Sequence, residues 1–385
     1  MASRKIYILI LIALTSNICF VFAQNESEES KTGKYANAYL DIGVSARAIG
    51  LSNTMTSTVN DVSSGFWNPS GLANMKNGVE LALMHNEHFG GIVKYDYGAV
   101  AARLNNKSGL GFSIIRSGVD NIPNTLELID KDGNIQYDRI TSFSVADYAF
   151  MFSYARKSPV EGLNYGATAK VLYRNIGKFG NGWGIGFDIG AQYIRDNLRI
   201  GLMLRDISTT ITNFTYNTEY FAETFQLTGN RILAKSTEIA LPRIILGASY
   251  RTYFTTNKFF HFTPSLDFVI TTDGKRNTLI SSAPLSISPA LGLEFGFKDI
   301  VYLRGGIGKF QRTQETADKT VWIFQPNIGL GFRVNLVHID YALANLGNQS
   351  NGLFSHVFSL KLTFNRQTEN YINLENRVIK RRKNR

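Results

Sequence analysis

The sequence predicts an all-β protein: a 14-stranded antiparallel transmembrane β-barrel with an N-terminal hatch or plug segment. Three observations predict it. After Lys76 the apolar residues recur with a period of two, and no long segment carries a helical period. An apolar leader precedes a chain that has no further cysteine. The links between candidate strands alternate between a short set and a set that includes all the long ones. Composition agrees. Charged residues make up 18% of the 385, against a usual share of about 25%. Phe (26), Tyr (18) and Gly (34) are abundant and Pro (8) is scarce, which excludes a disordered chain and favours strands. The single Cys19 excludes a disulfide scaffold and a Cys-based zinc site.

Residues 1–23 read as a signal peptide. Arg4 and Lys5 precede an apolar run from Ile6 to Leu14, and Val21 and Ala23 sit three and one residues before a cut after Ala23. Thr15, Ser16 and Asn17 break the apolar length that a spanning helix needs. Ser16-Asn17-Ile18 before Cys19 is a poor lipidation box. Residues 24–76 form an N-terminal arm and hatch. Their small residues, with one Arg at Arg47, suit a compact element inside a polar lumen, and a periplasmic arm fits the residues as well. Asn60 or Asp61 can cap a short helix, and Asn68-Pro69 reads as a turn.

Residues 77–364 carry the barrel. Trp183, Ile185, Phe187 and Ile189 alternate with Gly184, Gly186, Asp188 and Gly190; Leu198, Ile200, Leu202 and Leu204 alternate with Arg199, Gly201, Met203 and Arg205. Alternate strand side chains point to opposite faces, so each segment has one greasy face and one small or charged face. Charges fall on the second face: Asp147, Lys170, Arg174, Asp188, Arg199, Arg205, Glu294, Arg304, Arg333 and Asp340. Apolar-out and polar-in over about 9–11 residues is the pattern of a strand in lipid, and only closed barrels satisfy every backbone group there. Fourteen candidates lie near 78–86, 91–104, 108–118, 141–156, 162–176, 181–194, 197–207, 242–254, 259–271, 286–297, 299–308, 323–334, 336–345 and 353–364. Links on one side are short; links on the other include 119–140, 208–241, 272–285 and 309–322. Residues 365–385 form a basic periplasmic tail with seven Lys/Arg and two Glu. That tail holds much of the positive excess, which is not clustered among the strands, so nucleic acid is not an expected partner.

No enzymatic, cofactor or metal chemistry is expected. His85 and His88 sit at a strand end, where a step of three puts side chains on opposite faces. Asp130-Lys131-Asp132-Gly133-Asn134 lacks the sixth-position Gly and twelfth-position Glu of a calcium loop, with Ile135 and Thr141 there instead. Gly184, Gly186, Gly305 and Gly306 lie within alternating strands and read as close-packing positions in the wall.

Two blocks carry a family resemblance: Leu40-Asp41-Ile42-Gly43-Val44-Ser45-Ala46-Arg47-Ala48-Ile49-Gly50 with Asp61-Val62-Ser63-Ser64-Gly65-Phe66-Trp67-Asn68-Pro69-Ser70-Gly71-Leu72-Ala73, and Asp340-Tyr341-Ala342 with Leu346-Gly347 and Ser355-His356-Val357-Phe358-Ser359-Leu360. The first resembles the N-terminal signature of the PorV/PorQ-like proteins of Bacteroidota, within the FadL-type superfamily of 14-stranded outer-membrane barrels. The resemblance implies a hatch whose Asn-Pro-Ala motif falls on Asn68, Pro69 and Ser70. Ser70 departs from that motif, Leu51-Ser52-Asn53-Thr54 departs from a Gly-rich stretch, and the basic tail is a further departure.

The resemblance implies an integral protein of the bacterial outer membrane and a part in type IX secretion. There it would bind the C-terminal signal domain of secreted cargo and hand it to the surface attachment machinery, with other secretion-system proteins and outer-membrane lipid as partners. The aromatic loop residues Phe214, Tyr216, Tyr220, Phe221 and Phe225 are the candidate partner-binding set, aromatics supplying much of interface energy; packing in an interfacial girdle is the competing role for them. The alternative is a FadL-like transporter of hydrophobic small molecules, which requires an apolar pocket in the lumen and a lateral wall opening. A general diffusion pore is disfavoured, because open channels usually need about 16–18 strands.

Overall fold

The computed structural model describes residues 36–364, apart from 89, 131, 229–233, 255, 317–318 and 346–353. The expected signal peptide, residues 24–35 of the arm and the tail from 365 lie outside the described residues. Two short α-helices, α1 (Ala46–Gly50) and α2 (Ser64–Trp67), and two 3₁₀ turns, Ala38–Asp41 and Pro69–Asn74, precede the strands. The wall follows as β1 (Val79–His88), β2 (Val93–Arg103), β3 (Ser108–Asn124), β4 (Thr141–Lys157), β5 (Leu163–Asn175) and β6 (Gly180–Arg195). β7 comes in two segments, Leu198–Arg205 and Thr210–Tyr216. A helix α3 (Thr218–Thr228) links it to β8, which runs as Lys235–Ala240, Arg243–Tyr250 and Thr252–Tyr253. β9 (Phe260–Thr271), β10 (Ser286–Phe297), β11 (Val301–Thr316), β12 (Lys319–Val334), β13 (Val337–Ala344) and β14 (Ser355–Phe364) complete it.

Each strand pairs antiparallel with its neighbours, and β14 returns to β1 from Val79↔Phe364 to Glu87↔His356. The sheet is a closed 14-strand barrel, so its backbone groups are satisfied within the wall. No helix among the described residues is long and apolar enough to cross a membrane.

The two faces are those the alternation predicts. Leu83 is 62% exposed, Ile185 60% and Leu303 56% on the outward face, a contiguous apolar surface that water would penalise and hydrocarbon would not. Tyr148, Tyr173 and Trp183 stack in one outward row toward the long-loop end, and the pairs Phe260–Phe297 and Phe262–Phe295 sit toward the short-turn end. Aromatic girdles at both edges of an apolar band mark its limits. The packed core is inside. Leu40, Val44, Ile49, Met55, Phe66 and Trp67 of the hatch meet Met84, Tyr95, Ile115, Met151, Leu172 and Val357 of the wall.

The long links needed correction. Residues 119–124 continue β3 against β4, the stretch expected as a loop over 309–322 is largely the tight β11–β12 hairpin, and 208–241 contains strand segments of β7 and β8 around α3. The expectation failed because it required an apolar outward face. In Thr210–Tyr216 the faces no longer sort by polarity: Ile211, Asn213 and Thr215 point out, while Thr210, Thr212 and Phe214 point in, Phe214 being 7% exposed. A strand that has risen into water keeps its β-branched backbone preference and loses the need for a greasy exterior.

Candidate functional site: the hatch and the lumen

Residues 36–76 fill the middle of the barrel, and the wall makes room for them with glycine. A Cβ on Gly166 would lie 2.7 Å from the Pro69 carbonyl carbon, and one on Gly190 or Gly201 would overlap Asn68 or the Thr56 carbonyl. The glycines read from sequence as close-packing positions therefore include ones that admit hatch backbone, as at Gly306 against Leu51 and Ser52.

The three hatch-motif residues are brought together at the wall. Asn68 caps the Pro69–Asn74 turn, with Pro69 at its first position. The Asn68 amide donates to the carbonyls of Thr56 (2.9 Å), Ala191 (3.1 Å) and Leu202 (3.3 Å), the last two on β6 and β7. Its Oδ1 accepts from the Ser70 backbone N–H (3.2 Å) and from the Ser70 hydroxyl (2.6 Å). An Ala at position 70 would lack that second bond. Gln192 adds donations to the carbonyls of Thr56 (3.1 Å) and Val59 (2.9 Å), and Arg205 donates to the Phe66 carbonyl (2.9 Å) while lying over its ring.

Ion pairs hold the opposite side of the hatch. Arg47 meets Glu294 at 2.9 Å; Glu294 also receives Arg304 at 2.8 Å, and Arg304 reaches Asp340 at 2.6 Å. Lys361 reaches Asp61 at 2.6 Å. Burial opposes ionisation of Asp61, but Lys361 and Arg47 outweigh it and hold its carboxyl well below the usual carboxylate range. Burial likewise opposes the charge on Arg47, and Glu294 outweighs that, raising it.

Every charge assigned from sequence to the inward face does point inward, and most are paired. Arg174 takes Asp147 (2.7 Å) and Glu238 (2.7 Å) between the rings of Tyr39 and Phe214. Lys170 takes Asp188 (2.7 Å) and Asp206 (2.5 Å), and Arg243 joins Asp206 to Asp41 of the hatch. Sequence reasoning missed Asp206 and Arg243. Asp206 lies at the break of β7, at 206–209, and Arg243 opens the second segment of β8 directly after its break at 241–242, so both sit at the ends of alternating runs.

The aromatic candidates divide. Phe214 is buried under Arg174, which corrects its expected exposure on a loop. Tyr216 stacks on Phe214 and its hydroxyl meets Ser236 at 3.0 Å. Tyr220 and Phe221 on α3 pack on Phe179, and Tyr220 accepts a hydrogen bond from Asn124 (2.8 Å). These four act in packing the outer rim; the side chain of Phe225 lies outside the described residues. His85 faces outward against Asp96 (2.7 Å) and His88 faces inward against Ser355 (2.8 Å). Asp130 folds its own loop, accepting from the backbone of Asp132 and Asn134.

Two cavities flank the hatch and share no lining residue. The one toward the long loops has about 330 Å³. Leu40, Trp67, Ile245, Val269 and Phe310 form its apolar walls, with Arg205, Arg243, Arg276 and Lys309 among them. The break in β7 lies beside it and is closed by the Ile207 backbone N–H donating to the Phe187 carbonyl (2.9 Å). A lumen pocket with apolar walls is thus present although the inward face carries charges, and no lateral opening is formed at that break.

No family model matches the chain, and no curated protein matches it. Solved structures do match. The chain is similar to the CymD monoaromatic hydrocarbon channel at 13% identity, covering 84% of this chain and 98% of that one with a TM-score of 0.51. It is similar to the Ralstonia pickettii toluene transporter TbuX at 12% identity, covering 84% and 98%, TM-score 0.51. It is similar to the P. putida toluene transporter TodX at 12% identity, covering 84% and 99%, TM-score 0.50. At these identities the likeness establishes the fold alone, a closed 14-strand barrel.

Proposed function

We propose that the chain is an integral outer-membrane protein that admits a hydrophobic or amphiphilic small molecule past the hatch. The observation that carries this is the outer cavity. Its apolar walls suit a hydrocarbon body, while Lys309 suits a polar or anionic end, Arg243 and Arg276 being held by Asp41, Asp206 and Asp273. The solved neighbours named as hydrocarbon channels and toluene transporters support the same class of cargo. Trp67 lines the cavity and is one of three tryptophans, with Trp183 and Trp322. With those two replaced by Phe, Trp67 becomes the sole reporter. Brominated alkyl chains should quench it saturably, and Ile245→Arg should abolish the quenching. Absence of saturable quenching removes this function.

A second reading, capture of cargo signal domains in type IX secretion, is favoured by the packed lumen. Two cavities separated by a buried hatch leave the outer rim free to work without any opening. Crosslinked pull-down from outer membranes should then recover signal domains or secretion partners. Tyr220→Ala with Phe221→Ala should weaken that recovery while heat-modifiable migration persists; unchanged recovery rules the rim out as the capture surface.

A further inference from the structure

The cavity on the short-turn side of the hatch, about 220 Å³, is built differently from the outer one. It is well above the ~10–15 Å³ that one water needs on the same measure. Of the Lys and Arg side chains that line it, Arg47, Arg304 and Lys361 are committed to carboxylates. Lys76, Arg199, Arg251 and Arg333 have no carboxylate partner among the described residues.

Register brings these cations together. Arg199 lies across from Ser249 in β8, so Arg251, two residues on, is its diagonal neighbour; the Arg251 backbone N–H donates to the Asn197 carbonyl at 3.0 Å. Further round the wall, Arg333 lies directly opposite His338, and His338 directly opposite Lys361. Arg199 and Arg251 are thereby like charges within diagonal reach, and Arg333 and Lys361 flank His338 from the two neighbouring strands; like charges facing one another across strands are unfavourable. The Nε2 atom of His338 is buried with no hydrogen-bond partner, and a buried polar atom left unpaired is unfavourable. Both defects are relieved by the same thing, an acceptor-rich negative group in the cavity.

We infer that this cavity is a binding site for a small anion carrying a phosphate or carboxylate group, reached from the periplasmic side. The guanidinium fork of Arg199, Arg251 or Arg333 matches either group in two-point geometry, and His338 supplies a further donor when its Nε2 carries the proton. The site stands apart from the outer cavity and from any uptake through it.

Titration calorimetry on the full chain in detergent tests this with two probes, inorganic phosphate and octanoate. Phosphate should bind saturably. Arg199→Gln and Arg333→Gln should each weaken it by about tenfold or more, as loss of a charge-assisted hydrogen bond does, while Lys178→Gln on the outer side should not. Octanoate held here loses affinity in the same two variants; octanoate that ignores them sits in the outer cavity. A measurement on the unaltered chain guards against misfolded variants. Phosphate should slow phenylglyoxal modification of Arg199, Arg251 and Arg333, read by mass spectrometry, and leave the exposed Arg139 unprotected. No saturable phosphate binding, equal affinity in all variants, or equal protection of Arg139 overturns the site. Phosphate binding without any quenching of Trp67 by alkyl chains would leave this site standing and end the uptake function.

Discussion

The wall holds the hatch in two ways. On the β6–β7 side, neutral amides do it: Asn68 and Gln192 donate to hatch and wall carbonyls, over glycines that bring the two backbones together. On the β10–β14 side, charges do it: Arg47 to Glu294, and Asp61 to Lys361. The difference teaches where the hatch is sensitive. An amide anchor has no titratable group, so acid leaves it in place. A buried ion pair is weak evidence of net stability, yet it is costly to break from one side, because the abandoned charge stays buried.

The largest effect should therefore come from the charged side. Glu294 serves Arg47 and Arg304 together and is 2% exposed. Glu294→Gln should destabilise the hatch by about 3–5 kcal/mol, the usual cost of removing one partner of a buried pair. Protease access to residues 45–50 in membrane-reconstituted protein should rise sharply, with heat-modifiable migration retained. If access is unchanged, the ion pairs do not hold the hatch.

Next comes the neutral side. Asn68→Ala removes the donor to three carbonyls and the acceptor for Ser70. Buried groups left unpaired cost about 1–3 kcal/mol each, so a loss of about 2–4 kcal/mol is expected, since the carbonyls of Ala191 and Leu202 lie in the wall ladder and keep other partners. Hydrogen exchange should quicken at 69–74 and stay slow at 45–50. Exchange that rises equally in both stretches would show that the hatch is one cooperative unit and that the two anchors are not independent.

How much of this could be read from the residues follows the same division. The wall was legible because lipid imposes one rule on every strand; Leu198 to Leu204 and Trp183 to Ile189 state it without knowledge of neighbours. It ceased to be legible where lipid ends, which is why Phe214 was expected on an exposed loop and is found inside. Asn68, Pro69 and Ser70 could be singled out only through family resemblance, and their bonding could not be read at all. Nothing local to Asn68 names Ala191 or Leu202 as partners. Arg47 was recognisable as a buried cation, but its partner Glu294 lies 247 residues on, a pairing only the closed barrel creates. Gly190 and Gly201 announced an inward position with no side chain, and their alternation could not say that a hatch fills the space.

Acid gives a smaller and graded test. Asp61 has a folded pKa depressed by Lys361 and Arg47, so its contribution is fully present above the ordinary carboxylate value of about 3.9 and is lost as pH falls through the depressed value. Between pH 8 and pH 5 the protection of the Ser63 amide, which donates to Asp61, should not change once the intrinsic pH dependence of exchange is removed. Below about pH 3.9 that protection should begin to fall, ahead of protection at 69–74, whose anchor carries no charge. The reverse order would place the pH-sensitive contact on the amide side.

The smallest effect is expected at Ser70, and it separates the two functions of the motif. Ser70→Ala restores the residue implied by the family pattern and removes the 2.6 Å bond from the Ser70 hydroxyl to Asn68 Oδ1. Oδ1 keeps the Ser70 backbone N–H, and the Asn68 amide keeps all three carbonyls, so no buried group is stranded. The loss should be about 0.5–1.5 kcal/mol, the net worth of one ordinary hydrogen bond. Exchange at 69–74 should quicken by no more than about tenfold, which is what about 1.4 kcal/mol allows. An effect as large as that of Asn68→Ala would mean that the hydroxyl, and not the donation to β6 and β7, fixes the orientation of the Asn68 amide, and the neutral anchor would then be a property of this chain and not of the pattern it resembles.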